Sequence, residues 1–347
     1  MAICMRWNRV ATAVLLVTWL QPTLAAVPAP DTVPVHERKY AMGTVFDIVV
    51  YSGAPRHAAA AINKAFQEIV RLDGVMSNFK SDSDLSRLNR GAHFHTVSVV
   101  PDLYAVIADS QRYSRLSAGK FDITVGPLTD LWKKAMGGGS VPTTAQLRKL
   151  EPCVGYNKIE LIPPRSIELH SSCLRIDLGA IGKGYAVDRA IAVLRAQGIH
   201  CALVDAGGST MYGMGTPPGQ PGWPVTLRDP SHQVHARVLL HNTAVSTSEQ
   251  SAPSLLSGKR AGHIVDPATG LPLNTEYAVS VLARNATAAD ALSTTLLLVG
   301  PQRGRRLLSR GAGTSAIWIS PQGQTITAGQ RDIQFQTIPS LNAGGSQ

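Results

Sequence analysis

The amino-acid sequence predicts an α+β fold of mostly antiparallel strands with packed helices. Its 347 residues, 44% hydrophobic and 16% charged, are enough to bury a sizeable core. Helical and strand-like patterns mix along the chain where a doubly wound sheet would alternate them, and no short-period repeat is present.

The elements follow in order. After a Pro-rich lead from Val27 to Pro34, Thr44 to Tyr51 reads as a strand. His57 to Leu72 then places Ile62, Phe66, Ile69 and Val70 on one helical face and stops at Asp73-Gly74. Pro101 suits a helix start, Val106, Tyr113 and Leu116 continue it, and Gly119 ends it before the strand-like Phe121 to Val125. Lys158 to Ile162 and Ser166 to His170 form a hairpin around Pro163-Pro164-Arg165. Leu174 to Leu178 reads as a strand that passes through a Gly-punctuated turn into a helix from Tyr185 to Gln197, with Gly198 as its stop. Strands are expected at Ala202 to Asp205, Val225 to Arg228, Ala236 to Leu240 and Ala278 to Ala283, with a polar loop from Ser246 to Gly262. A helix from Ala288 to Val299 ends at Gly300, a second follows near Gln302 to Ser309, and Ala316 to Thr327 closes as a hairpin.

Lys and Arg number 33 against 23 Asp and Glu, a net charge of +10. The basic residues are scattered, with short doublets such as Lys133-Lys134 and Arg305-Arg306, and aromatics make up 5%. That pattern excludes a basic-aromatic nucleic-acid platform. Residues 1–25 carry Arg6 and Arg9, an apolar stretch from Val10 to Leu20, and small residues before Ala25. This is the pattern of a secretory signal peptide, and its apolar run is too short to span a bilayer. The expected product is residues 26–347, soluble and periplasmic, and tethered to the membrane only if the signal is retained. Cys4 leaves with the signal, and Cys153, Cys173 and Cys201 remain without metal-site spacing. The hairpin between Cys153 and Cys173 could bring those two together as one disulfide.

Candidate chemistry is concentrated in a few blocks. Gly179-Ala180-Ile181-Gly182-Lys183-Gly184 lies between a strand and a helix, where amide N–H groups and the helix dipole can receive a phosphate. It is not a phosphate-binding Walker loop, since Asp177 and Gly184 stand where Gly and Ser or Thr are required. Asp290 and Thr294, four apart on a helix, could hold a hard cation such as Mg2+ beside a phosphate ligand. Thr287 and Asp290 also fit a capping box. His263, in His263-Ile264-Val265-Asp266-Pro267 and before the turn-forming Thr269-Gly270, is a candidate proton acceptor or an ordinary surface or core histidine.

Together with Met42-Gly43-Thr44, Met76-Ser77-Asn78-Phe79, Phe121-Asp122-Ile123-Thr124, Ala206-Gly207-Gly208 and Ser246-Thr247-Ser248, these blocks resemble the ApbE-type FAD:protein FMN transferases over most of the chain. The resemblance implies two T-fold-like halves and Mg2+-dependent transfer of FMN from FAD to a threonine hydroxyl of an acceptor protein, with AMP released. The implied partner is an exported or membrane-associated redox subunit carrying the threonine, and no nucleic acid. By the family's pattern Met42, Phe79, Lys120, Phe121, Asp122, Asp177, Lys183 and Ile264 line the FAD site. Asp290, Thr294 and the carbonyl of Ala180 hold the metal, His263 is the base, and Lys183 adds a second positive charge. The chain departs from the pattern at Gly182, where Ala is usual, at Lys120, where a small residue is common, at Ser209, where an acidic or amide residue often stands, and at Phe79, which replaces a more polar aromatic. An FAD pyrophosphatase and a non-catalytic flavin-binding protein are the alternative functions.

Overall fold

The computed structural model describes residues 33–93, 95–250, 254–256, 259–309, 313–329 and 335–337; the leader, residues 1–25, lies outside them. The helices are α1 (Pro55–Met76), α2 (Asp84–Gly91), α3 (Pro101–Leu116), α4 (Gly126–Met136), α5 (Thr144–Leu150), α6 (Gly182–Ala196) and α7 (Ala286–Leu308). The strands are β1 (Val33–Ala41), β2 (Thr44–Ser52), β3 (Val97–Ser98), β4 (Ile159–Ile162), β5 (Ser166–Leu169), β6 (Ala202–Ala206), β7 (Thr210–Met214), β8 (Trp223–Arg228), β9 (Val234–Leu240), β10 (Thr243–Glu249), β11 (Ser254–Leu256), β12 (Lys259–Ala261), β13 (Ala278–Ala283), β14 (Ser315–Ile319), β15 (Thr325–Gly329) and β16 (Gln336–Thr337).

Eight strands form one antiparallel sheet in the order β1-β2-β6-β7-β10-β13-β14-β15. Alternation decides its faces. Phe46, Ile48 and Val50 of β2 and Ala202 and Val204 of β6 are fully buried in one core with Ile62, Phe66 and Ile69 of α1 and Val187 and Ile191 of α6. In the other half of the sheet, Val279 and Val281 of β13 and Trp318 of β14 pack with Leu292 and Leu296 of α7. The opposite face meets the small sheet β16-β9-β8 through Trp223, Val225, Leu227 and Val238, with Leu282 and Ile317. The antiparallel, helix-covered architecture is the α+β fold expected from the sequence. Among the described residues no helix is long and apolar enough to cross a membrane.

Two expected strands are absent for a local reason. Phe121 to Val125 and Leu174 to Leu178 form no ladder: they meet in an isolated bridge, Val125 with Arg175, and in a bond from Asp177 N to the Ile123 carbonyl (2.7 Å). Asp122 diverts the first segment: its Oδ1 accepts from the amide N of Thr124 (2.8 Å) and from its Oγ1 (2.6 Å), closing a turn. The expected polar loop from Ser246 is in fact strand β10 up to Glu249. The break expected at Gly300 is real, with φ +73° inside α7, a conformation that glycine tolerates.

Cys153 and Cys173 form a disulfide across the β4–β5 hairpin, 20 residues apart in sequence. The segment it ties also supports Asp122, whose Oδ2 accepts from the Tyr156 amide (2.8 Å), while Gly155 N donates to Thr124 Oγ1 (2.7 Å). Closing a loop of this length constrains the unfolded chain by about 3 kcal/mol. A Cys153→Ser, Cys173→Ser variant is therefore expected to unfold at lower urea, and adding reductant should destabilise the parent but leave the variant unchanged.

Candidate functional site

One cavity of about 670 Å³ gathers most of the residues singled out in the sequence: Lys120, Phe121, Asp122, Asp177, Ala180, Lys183, His263, Ile264, Asp290 and Thr294 all line it. Met42 and Phe79 do not. Met42 sits in the tight β1–β2 turn at φ +50° and packs beside Gly182. Phe79 is 86% exposed, with Lys133 Nζ 5.3 Å from its ring centre, and that same ammonium stands 3.9 Å from Asp177 Oδ2. Phe79 is thereby linked to the cavity wall through Lys133, a lining residue.

The α6–α7 contact builds the floor of the site. Gly184 lies so close to α7 that a Cβ there would stand 2.3 Å from the Ala286 carbonyl oxygen, so only glycine permits the approach. Across it, Gly184 N donates to Asp290 Oδ2 (2.9 Å). In return Asp188 of α6 accepts from the amides of Ala286 (2.7 Å) and Thr287 (2.8 Å) and from Thr287 Oγ1 (2.5 Å). Each helix thus supplies a carboxylate to the amide groups at the other's first turn, where donors lack partners of their own. Burial raises the pKa of Asp188, against the lowering effect of those hydrogen bonds.

That geometry corrects the capping-box alternative. The N-cap of α7 is Asn285, whose side chain accepts from Ala288 N (2.8 Å), so Asp290 lies within the helix. Asp290 is 4% exposed, and its Oδ1 lies 3.4 Å from Ser246 Oγ. Thr294 Oγ1 bonds Ser248 Oγ (3.1 Å), and Ser248 Oγ bonds Ser293 Oγ (2.7 Å). Ser246 and Ser248, alternate residues of β10, thus turn a hydroxyl-bearing face toward α7, which is why this strand resembles a loop in sequence. Among the described residues no group of three or more His, Cys, Asp or Glu could hold a metal. The donors of Asp290, Thr294 and the Ala180 carbonyl are all oxygen, a set that fits a hard cation completing its shell with water and ligand oxygens.

The Gly179–Gly184 turn offers fewer amides than its sequence suggests. Gly182 N donates to the Leu178 carbonyl and Gly184 N to Asp290, so Gly179, Ala180 and Lys183 form the cavity wall here. Asp177 Oδ1 accepts from Gly179 N (2.8 Å) and shapes that turn. Asp122 is spent on its own turn and on Tyr156, and burial is the main cause of its raised pKa.

His263 lines the cavity and is in part exposed to solvent. Its ring pKa is lowered by the protein around it and by the ammonium groups of Lys183 and Lys133, which favours the neutral, proton-accepting form. Gln250 fixes the next residue: Ile264 N donates to Gln250 Oε1 (3.1 Å), and Gln250 Nε2 donates to the carbonyls of Ile264 and Leu273, each at 3.0 Å. Trp132 Nε1 pins the far end of the turn at the Gly270 carbonyl (2.8 Å).

Residues overlooked in the sequence complete the wall. Thr129 and Lys133, four apart on α4, both line the cavity, a helical spacing visible in the sequence. Arg228, His232 and Glu249 contribute from β8, the turn after it and β10, and no motif marks them.

A FAD:protein FMN transferase of Treponema pallidum is 30% identical over 303 residues, 81% of this chain and 83% of its own length. One from Vibrio cholerae is 31% identical over 286 residues, 78% of this chain and 83% of its own. The solved ApbE protein of Thermotoga maritima aligns with a TM-score of 0.76 at 27% identity, over 85% of this chain and 97% of that one. The apo flavinyl transferase ApbE of Pseudomonas stutzeri aligns at 0.74 and 26%, over 86% and 95%. With the ApbE family's sequence model matching residues 42–318, and the fold and cavity described above, the chain belongs to the ApbE family.

Proposed function

We propose that this protein is an FAD:protein FMN transferase that works outside the cytoplasm, moving FMN from FAD onto a threonine hydroxyl of an exported or membrane-associated redox protein. The observation that carries the reading is the meeting, in one cavity, of a histidine, a lysine and a buried carboxylate–hydroxyl pair drawn from separate parts of the chain. In the transfer the threonine oxygen forms a bond to the FMN phosphorus, the pyrophosphate P–O bond breaks, and AMP departs with the bridging oxygen. His263 receives the hydroxyl proton. Lys183 sets a fixed positive charge against the pyrophosphate oxygens, where charge develops. Asp290, Thr294 and the Ala180 carbonyl would hold Mg2+, which when bound supplies further neutralisation of those oxygens. The hydroxyl groups of Ser248 and Ser293 orient Thr294.

The disulfide supports export, because such bonds persist in oxidising compartments. The signal-like residues 1–25 point the same way. The test is incubation with FAD, Mg2+ and a threonine-bearing acceptor domain, followed by weighing the acceptor. An FMN adduct with stoichiometric AMP is expected. AMP released equally without acceptor would indicate a pyrophosphatase, and FAD bound without AMP a flavin-binding protein.

A further inference from the structure

We infer that the ion pair between Lys120 and Asp266 is a positioning bridge that holds the His263 turn against the opposite cavity wall, and that Lys120 is not a phosphate contact. The inference rests on the transferase reading. Lys120 Nζ donates to both Asp266 oxygens, at 2.9 and 2.7 Å, and both side chains are largely shielded. An ammonium engaged in this way has its charge already neutralised, and Lys133 likewise stands beside Asp177, whereas Lys183 remains to meet an anionic ligand in the same cavity.

The bridge joins two segments with separate anchors. Lys120 precedes the buried Phe121, whose amide donates to Ser117 Oγ (2.8 Å) just past the end of α3. Asp266 lies three residues after His263, and its backbone carbonyl accepts from the amides of Thr269 and Gly270. Gln250 holds the turn at Ile264 and Trp132 holds it at Gly270; Lys120 holds it between them. A second cavity of about 430 Å³ lies behind these segments, and it shares Asp122 and Pro267 with the main one. The Lys120–Asp266 pair therefore braces the partition between the two cavities. Losing it frees the middle of the turn but leaves both end anchors in place, so the fold persists while the imidazole loses its fixed approach.

The test compares Lys120→Met, Asp266→Asn, the double variant and Lys120→Arg. Each of the first two is expected to lower the transfer rate at saturating FAD by about ten- to a hundredfold, as misplacement of a reacting group does. FAD affinity, read by fluorescence titration, should stay within about twofold in both, which marks loss of an effect confined to the transition state. The double variant should be no slower than the worse single one, and Lys120→Arg should recover most of the rate. Hydrogen exchange at the amides of Thr269 and Gly270 should accelerate in both single variants. Weakened FAD binding in Lys120→Met with unchanged or tighter binding in Asp266→Asn would overturn the inference in favour of a phosphate contact, and unchanged rates in both would overturn it outright. If the parent protein transfers no FMN, the transferase reading fails by itself. The exchange measurement then still decides whether the bridge holds the turn.

Discussion

Replacing His263 with alanine is expected to leave FAD binding nearly unchanged and to slow FMN transfer by about 10²- to 10⁴-fold, the usual cost of removing a general base. A proton acceptor acts as the threonine oxygen attacks and contributes little to ground-state affinity. The neighbouring acceptor, Asp266, offers no ready substitute, since Lys120 and the Ala268 amide engage its carboxylate. The pH dependence has a definite sign. Burial and the nearby Lys183 and Lys133 lower the histidine pKa, so the imidazole stays neutral further into the acid range. Transfer in the parent should rise with pH through an inflection below the ordinary histidine value of 6.5, and that limb should vanish in the alanine variant. Fluorescence titration with FAD and mass measurement of the acceptor separate the two steps. Near-parental transfer by the variant would make His263 structural.

Asp290 calls for two substitutions, because the α6–α7 contact gives its carboxylate a structural duty as well as the proposed metal one. Asp290→Asn keeps an oxygen able to accept from Gly184 N but removes the charge that a hard cation requires. It should fold with stability close to the parent's and lose Mg2+-dependent turnover. Asp290→Ala should lose turnover as well and also leave the Gly184 amide buried without its partner, at a cost of about 1 to 3 kcal/mol. Urea unfolding and Mg2+ titrations of activity measure these separately. An active Asn variant with a normal Mg2+ requirement would show that Asp290 serves only the contact between helices.

Where sequence and structure agree, periodicity is the reason. In the apolar stripe expected on α1, Ile62, Phe66 and Ile69 face a packed core while Val70, at its edge, is 40% exposed; the run from Ala278 to Ala283 is buried throughout, so burial follows the pattern except at that edge. The disagreements arise where polar groups do the packing. Strand β10 reads as a loop because Ser246 and Ser248 face Asp290 and Thr294 instead of an apolar layer. The charged outermost strand β1 and the Gly-containing β7 carry weak strand patterns. Phe121 to Val125 has strand-like residues, but Asp122 closes a turn on Thr124. The candidate site was legible as separate blocks, most of them meaningful through their likeness to a family. Their meeting was not legible, because the contacts of Lys120 with Asp266 and of Gly184 with Asp290 join residues more than a hundred positions apart. The capping-box spacing at Thr287 and Asp290 shows the same limit: it describes one helix correctly, whereas the carboxylate's partner lies on another.

The exchange of carboxylates between α6 and α7 also fixes when the site can first exist. Asp188 and Thr287 are 99 residues apart and Gly184 and Asp290 are 106 apart, so neither bond forms until the last third of the chain has folded back onto the middle. Before that moment Lys183 has no oxygen ligands opposite it, and the hydroxyls of β10 have no helix to face. A chain stopped or cut before Asn285 would retain the Gly-rich turn and the histidine but not the donors contributed by α7. Completion of the fold and acquisition of the proposed metal site are therefore a single event, and an unfinished molecule has no means of activating FAD by this route.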